Sequence, residues 1–82
     1  MIFLVEYDRA TARLVSLRSY EDWQLVDAED ARLQRELDLY HRGEKREVVI
    51  LQATNEDALR RTHRRYFEDL EQLAKTPADA KS

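Results

Sequence analysis

The segment REVVILQATNEDALRRTHRRYFEDLEQLA, residues 46–74, decides the fold, because it joins a short apolar run to a longer amphipathic one across a helix start. Val48, Val49, Ile50 and Leu51 are contiguous and mostly β-branched. A run of that length with no polar alternation reads as a strand with apolar cover on both faces. Asn55 then stands where a helix needs an N-cap. Glu56 and Asp57 put negative charge beside the unpaired N–H groups of the first turn. Beyond the cap, Leu59, His63, Tyr66, Leu70 and Leu73 recur at spacings of three and four. At about 100° per residue they share one face of a helix running to residue 74.

Toward the N-terminus, residues 2–7 and 11–18 read as two strands joined around Asp8-Arg9-Ala10. The joint has no glycine and no Asn-Gly pair, so a loop built on a type I turn with Asp8 in first position is expected. The first strand is apolar on both faces. The second mixes Arg13, Ser16 and Arg18 with Leu14, Val15 and Leu17, the composition of an edge strand. Ser19, with Asp22 three residues on, resembles a weak capping box and opens a helix over residues 20–41, stopped by Gly43. An alternative start places the N-cap at Asp27 and leaves residues 19–26 as a separate turn. Trp23, Val26, Leu33, Leu37 and Tyr40 share a face of this helix, expected to be buried, and Asp30 falls within the same stripe. A helix of about 22 residues is ~33 Å long against ~23 Å for a seven-residue strand, so an overhang is expected.

These elements predict an α+β fold: one small domain over residues 1–75 in the order ββαβα, with a polar, disordered tail over 76–82 after the helix-stopping Thr76-Pro77. The most apolar strand belongs in the middle. That gives a three-stranded sheet of order 2-1-3, the third strand antiparallel to the first, with both helices packed on one face. The arrangement leaves apolar residues such as Ile2, Leu4, Val48 and Ile50 on an uncovered face, a larger patch than a monomer usually shows. A homodimer is therefore expected, through that face or the edge of the third strand, with Trp23 and Tyr40 as further contacts. Another protein is the alternative partner.

Composition narrows the chemistry. Eighty-two residues without cysteine supply neither a disulfide nor a thiolate metal site. A single glycine rules out phosphate-cradling loops and dinucleotide fingerprints, and no cofactor is expected. The apolar run Ile2–Val5 is too short for a membrane span or signal segment, which points to a cytoplasmic setting without a membrane. Neither histidine, His41 or His63, has a ligand-spaced histidine partner, so no metal site is expected. A net charge of −3 disfavours general polyanion binding.

Two local features stand against that background. Arg60, Arg61, Arg64 and Arg65 could face an anion or nucleic acid along a helix, although each has an acid four residues away: Glu56, Asp57, Glu68 and Asp69. His63 and Asp30 both fall on helical stripes, and if they met they would form a buried polar pair able to carry a proton. The three serines, Ser16, Ser19 and Ser82, offer no nucleophile for a triad. The leading expectation is a non-enzymatic, homodimeric protein-interaction or regulatory module. The alternatives are polyanion binding through the arginines and a small enzyme using Asp30 and His63.

Overall fold

The structure is a computed structural model that describes residues 1–67. Three strands, β1 (Ile2–Asp8), β2 (Arg13–Tyr20) and β3 (Glu47–Gln52), form one antiparallel sheet of order β2-β1-β3. Helix α1 (Leu25–His41) connects β2 to β3, and α2 (Glu56–Thr62) follows β3. Element order, strand order and fold class are those expected from the sequence.

The loop after β1 is held by Asp8, whose Oδ1 accepts from the N–H of Ala10 at 3.0 Å. Without a glycine, Ala12 takes a positive φ of 56° to close it. The register of β1 against β2 slips between Glu6 and Tyr7, which pair with Ser16 and Leu14 and leave Val15 as a bulge. β2 then runs on to Tyr20, with Ser19 opposite Phe3, so Ser19 is a strand residue rather than a helix cap. The helical segment begins instead with a short 3-10 turn, Asp22–Gln24, in which the N–H of Glu21 donates to Gln24 Oε1 at 2.9 Å. At the far end Gly43 adopts φ +70°. Its N–H reaches the Tyr40 carbonyl at 3.1 Å, and the N–H of Glu44 reaches that of Leu39 at 3.0 Å, a Schellman stop at the expected glycine.

The helices do not share a face of the sheet. Leu4 and Val48 pack with Ala31, Leu39 and Ile50 under α1. Phe3, Val5 and Tyr7, which alternate with Leu4 and Glu6 along β1, pack with Leu59 and Tyr66 on the other side. The expectation of two helices on one face is thus corrected, and the reason is in the strands: β1 and β3 are apolar on both sides, and one helix per side covers them.

The second helix is also shorter than its periodicity predicts. It ends at Thr62, His63 leaves helical geometry at φ −127° and ψ 52°, and a 3-10 turn, Arg64–Tyr66, follows. Thr62 contributes a β-branched side chain whose hydroxyl donates back to the Ala58 carbonyl at 2.9 Å. The break turns Tyr66 onto Tyr7, ring centroids 5.2 Å apart and nearly perpendicular. Leu70, Leu73 and the expected tail over 76–82 lie outside the described residues.

The largest departure concerns which side of α1 faces the sheet. Ala28 and Leu39 are buried, and Ala31 and Arg35 are partly so, whereas the apolar stripe is exposed, from 43% for Leu37 to 80% for Tyr40. At about 100° per residue the two sets lie on opposite sides of the helix. Glu6 explains the choice. It is buried on the α1 face of the central strand, and an unmatched carboxylate there is costly, so the helix presents Arg35, flanked by small alanines that allow close approach.

Candidate functional site

The charge at the centre of the fold is part of a closed ring. Arg35 Nε and Nη2 donate to the two Glu6 oxygens at 2.6 and 3.0 Å, and Arg46 Nη1 donates to Glu6 Oε2 at 2.7 Å. Arg35 also bonds Asp38 at 2.7 Å, which bonds Arg42 at 3.2 Å. Arg42 meets Glu44 at 3.4 Å, and Glu44 returns to Arg46 at 3.4 Å. Three acids and three arginines thus alternate with no net charge, joining β1, α1 and the connection into β3. The hydrogen bonds from Arg35 hold the Glu6 carboxyl below its ordinary range, against burial that acts the other way, with Arg46 adding to the lowering. A general acid or base at neutral pH needs the opposite shift, and what the ring does in this structure is tie β1, α1 and the connection into β3 together. Its signal in the sequence is one acid inside the apolar run of β1.

A second polar cluster closes the other face. Arg65 donates to Glu47 at 2.6 Å and to the Tyr66 hydroxyl at 2.7 Å, and that hydroxyl donates to Glu47. Burial raises the Tyr66 pKa, and the bond to Glu47 raises it further.

The residues singled out in the sequence separate in space. Asp30 is exposed on α1 and His63 follows α2, so they belong to helices on opposite faces of the sheet. The His63 Nδ1 lies 2.9 Å from the Thr62 hydroxyl. Among the four arginines, Arg60 is tied to Glu56 at 2.7 Å and stacks 4.6 Å over Phe67, as its helical spacing to Glu56 predicts. Arg65 is drawn to Glu47, and Arg61 and Arg64 are exposed. Ile2, Leu4 and Val48 are buried and Ile50 is partly buried, with Leu4, Val48 and Ile50 in the cluster beneath α1, so this side of the sheet is not a bare apolar face. Trp23 and Tyr40, by contrast, stand open. Among the described residues no three His, Asp or Glu side chains converge to hold a metal, and no helix is long and apolar enough to cross a membrane.

Among the described residues two surfaces remain open. The first is the α1 stripe, where Val26, Asp30, Leu33, Leu37 and Tyr40 follow one another at spacings of three and four, with Trp23 in the 3-10 turn just before it. The second is the outer edge of β3, beyond which no strand lies among the described residues. The two edges of the sheet differ. β2 carries the bulge and the exposed Arg13 and Arg18, features that blunt an edge, whereas β3 presents Val48 to Leu51 without interruption. The pairing of β3 also shows which of its backbone groups point outward. The Met1 ammonium donates to the Ala53 carbonyl at 2.8 Å and the Ala53 N–H to the Met1 carbonyl at 3.1 Å. Antiparallel alternation then directs residues 49 and 51 toward β1, and Val48, Ile50 and Gln52 toward the open side. Comparison of the chain with family models, with curated proteins and with solved structures gives no match.

Proposed function

We propose that this chain is a small, non-enzymatic protein-interaction module of the cytoplasm that works as a homodimer, two copies joining along the outer edge of β3. The observation that carries the reading is the contrast between the edges: β2 is bulged and charged, whereas β3 is apolar and, among the described residues, unpaired on its outer side. A two-fold axis through Ile50 sets Ile50 opposite its own copy and Val48 opposite Gln52 of the other chain. All the outward N–H and C=O groups of these residues then pair, and two three-stranded sheets become one of six. Glu47 falls opposite Ala53 in this register, so no like charges meet. The non-enzymatic reading draws on two buried polar groups that are tied into the fold, Glu6 between two arginines and Tyr66 on Glu47.

Light scattering across a dilution series tests the dimer. A mass near twice 9.8 kDa is expected, falling to the monomer value for Ile50→Pro, which deletes an outward N–H without touching the β1 ladder. Hydrogen exchange provides the check that needs no variant: the amides of Val48, Ile50 and Gln52 gain protection as concentration rises. A wild-type chain that stays monomeric, or outward amides indifferent to concentration, overturns the proposal.

A further inference from the structure

The exposed stripe of α1 carries an identity for the partner of such a module. Four large apolar side chains, Val26, Leu33, Leu37 and Tyr40, lie along one side of the helix opposite its buried face, and Trp23 is exposed in the 3-10 turn that leads into it. Leaving such a row in water is costly unless another surface covers it. Their spacing of three and four is that of a helix-to-helix seam, in which side chains of a second helix seat between them.

Charge selects among the occupants. The outward half of α1 carries Glu29, Asp30 and Glu36 and no lysine or arginine, with Asp27 at its border. The nearest base on the helix, Arg32, sits at the other border and already meets Glu36 at 3.6 Å. A second copy of α1 laid along the stripe would bring these acids against their own equivalents. An anionic membrane surface would be repelled in the same way. Asp30 stands within the seam itself, where a carboxylate left without a partner would be desolvated at a cost.

We propose that this face of α1 docks a basic amphipathic helix of another protein. Its leucine-like residues fill the seam, its lysines or arginines flank it, and one of them meets Asp30 and sets the register. This deepens the interaction-module reading and rests on it. It uses a surface distinct from the β3 edge, so each stands or falls by a separate readout.

Trp23, the sole tryptophan, reports directly on the seam. The probe is a synthetic 18-residue helical peptide with leucines spaced three and four apart, lysines on both flanks and one lysine at a central seam position. The controls are the same peptide with glutamates for lysines, and a scrambled peptide of identical composition. The expected result is a saturable blue shift of Trp23 emission with the lysine peptide, at least tenfold weaker for Leu33→Asp and for Asp30→Lys. Binding should weaken severalfold when salt is raised to about 0.5 M, where the Debye length falls to a few ångströms. Because Leu33 and Asp30 are exposed, circular dichroism of both variants should match the wild type. A wild-type chain that is monomeric yet binds the lysine peptide fails the dimer proposal alone. Equal response to the scrambled peptide, or none to the lysine peptide, overturns the inference. A wild-type dimer reduced to monomers by Leu33→Asp also overturns it, by showing the stripe to be the self-interface.

Discussion

Replacing Glu6 by glutamine tests whether the charge ring holds α1 to the sheet. The carboxylate accepts three hydrogen bonds from two guanidinium groups, at 2.6, 2.7 and 3.0 Å, from a side chain only 5% exposed. Glutamine keeps one acceptor and turns an NH2 donor toward an arginine donor. A hydrogen bond to a charged group contributes about 1.5–3 kcal/mol net when its partner is lost. Two effects hold the cost toward the low end. Arg35 and Arg46 are 31% and 23% exposed, and they retain Asp38 and Glu44. The expected loss is about 2 kcal/mol, a drop in Tm of roughly 10 °C for a domain of this size. Urea unfolding followed by circular dichroism at neutral pH measures it. Acid adds a sign. The folded Glu6 pKa lies below its unfolded value, so this stabilisation is complete above the ordinary carboxylate range near pH 4 and is lost as pH falls through the lower folded value. Wild type and Glu6→Gln should therefore converge in acid. Asp38→Asn, on the exposed side of the ring, should change stability by less than about 0.5 kcal/mol. A Glu6→Gln protein as stable as wild type at neutral pH, or a gap unchanged at about pH 2, would refute the reasoning.

Two further outcomes follow from the α2 side of the sheet. Asn55→Ala removes the acceptor that takes the Ala58 N–H at 2.8 Å, and should cost about 1 kcal/mol by urea unfolding. Tyr66 holds its proton more tightly in the folded state, so its contribution is present below the unfolded value near pH 10 and is lost as pH rises through the folded one. Thermal melts between about pH 9 and pH 11 should show an alkaline fall in wild type that is reduced in Tyr66→Phe.

The strands and their order were legible because they depend on local composition. Ile2 to Val5 and Val48 to Leu51 are contiguous apolar runs, and Arg13, Ser16 and Arg18 mark an edge. Gly43 and Asn55 were legible for the same reason, each being set by the backbone geometry of a helix end. What escaped depends on partners distant in sequence. The inward face of α1 is chosen by Arg35 reaching Glu6, 29 residues away, and a rule that buries the most apolar stripe selects the opposite side. Ser19 resembles a cap until Phe3 is known to lie across from it. The break at His63 follows from Tyr66 and Arg65 turning to Tyr7 and Glu47, contacts that periodicity within 56–74 does not contain. Of the candidate site residues, Trp23 and Tyr40 stand exposed, although the periodicity assigned them to a buried face.

The central position of β1 has a consequence for synthesis on the ribosome. β1 precedes both of its neighbours: Ile2 meets Tyr20 soon, but its other neighbour, Gln52, is about 50 residues downstream, roughly 3–10 s at ordinary elongation rates. During that interval Phe3, Leu4 and Val5 emerge beside an unfilled strand edge, where nascent chains aggregate. Glu6 interrupts that run with a charge. A charge inside an apolar run hinders self-association, and this one is neutralised only once α1 arrives with Arg35.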